Sequence, residues 1–164
     1  MRASGVWVGL AAAIFLTLWT GSAWAQNKPR GCLTSNEHVA EREVRHGVRL
    51  REMSFRCDQQ YPREKPIFPR WKEFSEKFAA QFVKQVDARR KAMAREFPGN
   101  FEEVMKYWDD RLVVFFRHYP LTEPYCQGIS KLFDPLERSG WNAFVKQAAA
   151  ARDEIMLWDY KLCR

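Results

Sequence analysis

The chain has 164 residues, 46% of them hydrophobic and 29% charged, with a formal net charge of +7. Beyond residue 25 no stretch approaches the roughly 20 consecutive apolar residues of a membrane span, so the mature chain is expected not to cross a bilayer. G-x-S-x-G, H-E-x-x-H and glycine-rich phosphate loops are absent, which removes the motifs of common hydrolase, metalloprotease and nucleotide chemistry.

Residues 1–25 read as a secretory signal peptide. Arg2 supplies the positive end, Val6 to Trp19 is apolar apart from Gly9 and Thr17, and Ala23-Trp24-Ala25 is a small-x-small cleavage site. Cleavage after Ala25 makes the protein periplasmic or secreted. Lipid attachment at Cys32 is disfavoured by Arg30, because such sites need small and apolar residues. The remaining 139 residues, 164 less 25, lose only Arg2 among the charges and keep a net charge of +6. They divide into a short N-terminal segment, 26–33, and a single helical domain, 34–164.

The first helix is predicted over 34–60. Thr34 and Glu37 form a capping-box pattern, and no proline intervenes before Pro62. Its apolar bands run through Ala40, Val44, Val48 and Phe55 and through Val39, His46, Leu50, Met53 and Cys57, while Arg42, Arg45, Arg49 and Arg56 share the remaining face. The proline-rich "YPREKPIFPR" is a connector. A second helix over 69–97 follows from Trp71, Phe74, Phe78, Phe82, Val86, Met93 and Phe97 at helical spacing. A third, 100–118, opens on another capping-box pattern, Asn100 and Glu103, and stops before Pro120. A short helix over 122–132 carries Cys126. Asp134-Pro135 then reads as the cap and first position of a last helix, 135–162, with Gly140 marking a kink or a later start.

The fold class expected is all-α: a disulfide-stapled four-helix up-down bundle with a short additional crossover helix. Cys32, Cys57, Cys126 and Cys163 all lie in the exported part, and an even count in an oxidising compartment favours two disulfides. If 34–60 is one helix, Cys32 and Cys57 stand roughly 35 Å apart at 1.5 Å per residue, far beyond disulfide reach. Up-down topology then pairs Cys57 with Cys126 at one end and Cys32 with Cys163 at the other.

Candidate chemistry is sparse. His38 and His46 are eight apart on one helix with Arg42 between them, a poor arrangement for a cation. Glu43-x-x-His46 is the sole such motif, whereas a di-iron bundle needs two. No metal ligand and no cofactor is therefore assigned, and a haem or metal bundle, with His46 and Met93 or Met105 as axial ligands, stands as the alternative reading. The acid pairs Glu102-Glu103 and Asp109-Asp110 suit helix-dipole and salt-bridge roles. No catalytic residue is assigned, and the protein is expected not to be an enzyme. The basic clusters carry the functional reading. Arg42, Arg45, Arg49 and Arg56 on the first helix, with Arg89, Arg90, Lys91 and Arg95 near the end of the second, would form a basic surface. Such a surface suits a non-catalytic binding or interaction module of the cell envelope, meeting an anionic envelope component or an acidic protein. Nucleic acid is not the expected partner of an exported protein.

Overall fold

A computed structural model describes residues 31–151 and 161–163. The signal sequence, most of 26–33, and Ile155 and Trp158 of the expected last helix lie outside the described residues. In chain order the elements are β1 (Cys32–Leu33), α1 (Ser35–Gln60), α2 (Ile67–Lys77), α3 (Ala79–Glu96), α4 (Phe101–His118), α5 (Glu123–Ala150) and β2 (Lys161–Leu162). The fold is helical apart from the two-residue strands, which pair in parallel with Cys32 opposite Lys161.

The capping box of α1 is formed: the Thr34 hydroxyl accepts from the Glu37 N–H, and the Glu37 carboxylate accepts from the Thr34 N–H at 2.8 Å. The matching pattern at Asn100 is not formed. Asn100 sits at φ −140° and ψ 20° after the Pro98-Gly99 turn, and its side chain caps nothing. The connector is ordered from behind by Asp58, whose carboxylate accepts from the Ile67 and Phe68 N–H groups at 2.9 and 2.7 Å. These are orphan donors at the start of α2, so Asp58 acts as a remote cap.

Two boundaries differ from the sequence reading. The predicted second helix is broken at Phe78 (φ −111°, ψ 24°) into α2 and α3. The predicted short and last helices run together through Asp134 and Pro135, and the division falls instead at Gly140, where two helical stretches of α5 meet at a kink, as expected for that glycine. Arg70 of α2 braces the stretch around Pro135. It donates to the Ser130 carbonyl at 3.2 Å and pairs with Asp134 and Glu137, bracketing the turn where Pro135 removes a helical bond. Phe133 and Leu136 on the same turn are buried.

All four other helices pack on α1. The core runs from Leu50, Met53 and Cys57 of α1 through Trp71 and Phe74 of α2 to Phe133, Leu136 and Phe144 of α5. Disulfides join Cys32 to Cys163, with Cα atoms 5.1 Å apart, and Cys57 to Cys126, 5.4 Å apart. Among the described residues no helix is long and apolar enough to cross a membrane.

Candidate functional site

The arginines singled out from the sequence are placed largely inside the fold. Arg42 donates to the carbonyls of Ala148 at 3.1 Å and Ala151 at 2.8 Å, closing the C-terminus of α5. Arg56 does the same for α4, reaching the carbonyls of Phe116 and Tyr119. Such ends carry unpaired carbonyls and a partial negative charge that a guanidinium satisfies. Arg45 and Arg89 are buried on Glu41, and Arg89 also meets Asp109 at 2.7 Å. Burial pulls the Arg89 guanidinium down, but Glu41 and Asp109 outweigh it and hold it above its ordinary range. Arg95 binds Glu37, Glu96 and the Cys32 carbonyl. Arg49 lies half-buried beside the Tyr125 hydroxyl. The eight cations therefore do not form one surface. The reason is the position of α1: all four other helices pack on it, and its arginines meet protein acceptors. Only Arg90 and Lys91 of the set are exposed, and Arg90 pairs with Glu102 above the Phe101 ring.

One stripe of α1 is polar and buried. Glu43 Oε2, His46 Nδ1 and Arg49 Nε have no hydrogen-bond partner. The state of His46 follows from its neighbour. Gln147 donates its amide to the Leu132 carbonyl at 2.8 Å, so its oxygen faces His46 Nε2 at 3.2 Å and accepts. The neutral imidazole thus carries its proton on Nε2. Burial, opposed by the Gln147 bond and reinforced by the Arg49 charge, lowers its pKa to about 4. The sign of the pH effect is fixed by this depression. Above the unfolded value of about 6.5 both states are neutral and stability is full; as pH falls through 6.5 towards 4 the unfolded state takes up the proton first, and about 3 kcal/mol is lost. Glu43 acts oppositely, since burial raises its carboxyl pKa and the Lys84 charge only partly offsets this. The difference between the denaturation profiles of wild type and His46→Gln isolates the histidine. The variant is expected to lack the acid loss, and parallel profiles would refute the assignment.

No group of three or more metal-ligating side chains occurs among the described residues. Glu43 and His46 are neighbours on α1, but no second Glu-x-x-His joins them. A groove of about 120 Å³ lies between α2 and α5, floored by Phe74, Phe133 and Leu136 and edged by Lys77 and Glu137.

The exposed face of α3 is of a different character. Val83 and Val86 are 59% and 41% exposed, and Lys84, Arg90 and Lys91 stand around them with Asp87 as the one acid between residues 83 and 91. No protein-family model, curated protein or solved structure matches the chain. Function is accordingly argued from these surfaces alone. The sequence reading missed Asp58, Arg70 and Gln147, each of which acts on a different helix. The signal available for Asp58 was its place just before a proline-rich connector. Gln147 carries none, being one polar residue in an alanine-rich turn.

Proposed function

We propose that the protein is a non-catalytic interaction module of the cell envelope, exported by cleavage after Ala25 and held folded by its two disulfides, and that α3 presents an anionic partner with a basic, partly apolar face. Two disulfides fit an oxidising, extracytoplasmic compartment. The observation that carries the reading is the retention of exposed Val83 and Val86 among Lys84, Arg90 and Lys91, while the other arginines serve the fold. Apolar side chains rimmed by cations suit an anionic headgroup layer, where each lysine near the surface contributes about 1 kcal/mol. The up-down helix order belongs to the same proposal, with α2 and α3 counted as one broken helix. The contacts of Arg95 with Glu37 and of Arg56 with Tyr119 support that alternation.

The test is co-sedimentation with phosphatidylglycerol vesicles and with phosphatidylcholine vesicles. Binding is expected to the anionic vesicles alone, to weaken steeply with salt, and to fall about tenfold or more in Lys84→Glu/Lys91→Glu. Absence of binding at low salt, or equal binding to both vesicles, removes the reading.

A further inference from the structure

Of the four arginines that share a face of α1, Arg49 is the one whose charge the fold does not answer. Arg45 is paired with Glu41, and Arg42 and Arg56 cap the ends of other helices. Arg49 Nε is buried and has no hydrogen-bond partner, and the guanidinium lies beside the Tyr125 hydroxyl, a neutral group. A charged donor left unbonded out of water is costly, and in a native fold it calls for an acceptor from outside the chain. The same hydroxyl lies in the field of Arg56. Arg56 holds the carbonyls of Phe116 and Tyr119 through Nη1, which fixes where its guanidinium stands. The Tyr119 ring packs 5.1 Å from that of Tyr125 and closes the cluster on the α4 side.

No carboxylate offsets this pair of cations. Glu52, three residues after Arg49 and four before Arg56, gives one oxygen to Arg51 at 2.8 Å and the other to Arg117 at 3.6 Å. Glu123, two residues before Tyr125, is exposed. Among the described residues neither Arg49 nor Arg56 has an ion pair, whereas Arg45, Arg70, Arg89 and Arg95 each hold a carboxylate.

We infer that Arg49, Arg56 and the Tyr125 hydroxyl form a binding site for a phosphoryl group at the junction of α1, α4 and α5. The three side chains offer donors only from the guanidiniums and one O–H from the phenol. Guanidinium forks match phosphate oxygens in geometry, and two fixed positive charges match a phosphate monoester dianion, where a carboxylate would answer one of them. Arg49, Arg56, Tyr119 and Tyr125 are all half-buried, so the cluster opens to solvent while its attraction for an anion is screened less than at a bare surface. The site shares no residue with the exposed face of α3, so either can fail without the other.

The experiment is isothermal titration of the oxidised, exported chain with inorganic phosphate, glycerol 3-phosphate and acetate at one ionic strength. Saturable binding of one phosphate is expected, with acetate at least about tenfold weaker. Arg49→Met should weaken phosphate binding about tenfold or more, and Tyr125→Phe about threefold. Thermal unfolding separates this from a structural role. Without phosphate, Arg49→Met should melt no lower than wild type, because an unanswered charge is replaced by an apolar side chain of similar length. With phosphate, only wild type should gain. Phosphatidic acid vesicles tested on Lys84→Glu/Lys91→Glu identify the carrier: capture that Arg49→Met abolishes supports a lipid headgroup, and glycerol 3-phosphate binding without capture supports a soluble ester. Absence of saturable phosphate binding, equal binding of acetate, or phosphate binding kept in Arg49→Met overturns the proposal. So does a lower melting temperature of Arg49→Met without phosphate, which would give Arg49 to the fold.

Discussion

Replacing Cys57 and Cys126 together by alanine is expected to lower the unfolding free energy by about 4 kcal/mol, the chain-entropy value for a loop of this length. The two cysteines are 69 residues apart and fully buried among the core side chains. The bond fixes the end of α1 to the first turn of α5, and those helices form the largest part of the core with α2. Loss of the cross-link is joined by loss of two buried sulfurs, so the chain-entropy value is a lower figure for the double variant. Urea denaturation of wild type and variant, both without reductant, measures the difference. A change under about 1 kcal/mol would mean that packing alone sets the α1–α5 junction. The two bonds should also differ in reactivity. Cys32 and Cys163 are only half-buried, so mild reductant should open that bond first and leave Cys57–Cys126 intact.

Gly140→Ala is the second large effect, at about 3 kcal/mol from backbone strain and overpacking together. Gly140 adopts φ 56° and ψ −136°, a region closed to L side chains. An added Cβ would lie 2.7 Å from Cζ of Phe78. Phe78 cannot withdraw freely, because its ring packs between Phe74 at 4.8 Å and Trp141 at 6.0 Å. The kink in α5 and the break between α2 and α3 thus meet through the Phe78 ring. Phe78→Leu in the Gly140→Ala background should recover the steric part and leave the backbone part. Full recovery would assign the whole cost to the clash, and a wild-type melting temperature for Gly140→Ala would refute both.

The helices were largely legible because their apolar spacing is strong and their loops carry proline and glycine. What failed depended on partners from other helices. Asp134-Pro135 reads locally as the start of a new helix, whereas α5 runs on through it, with Arg70, 65 residues away in sequence, bound to the Ser130 carbonyl. Phe78 has no breaker character in the sequence, and its ring packs against Gly140 from another helix. Asn100 resembles Thr34 in pattern but differs in side chain and in backbone angles, so a similar motif capped one helix and not the other. The arginine face of α1 is the most instructive case. Helical period shows that Arg42, Arg45, Arg49 and Arg56 share a side, but it does not show what covers that side. Centrality within the fold does, and it converts a candidate binding surface into helix caps and internal ion pairs. Helix α4 carries the complementary lesson: it is rich in apolar residues, yet it buries only Leu112 and Phe116, while Val114 and Phe115 face outward.

The Cys32–Cys163 bond has a topological consequence. It closes a covalent ring that contains all five helices, with a second ring through Cys57 and Cys126 inside it. The connector between α1 and α2, with Pro62, Glu64, Lys65 and Pro66 exposed, is the natural place for a protease to cut. A single cut there converts the ring to an opened chain and releases nothing, since both new ends belong to one molecule. After that cut, a further cut between the connector and Cys126 frees a piece, because no cysteine lies in that stretch to hold it.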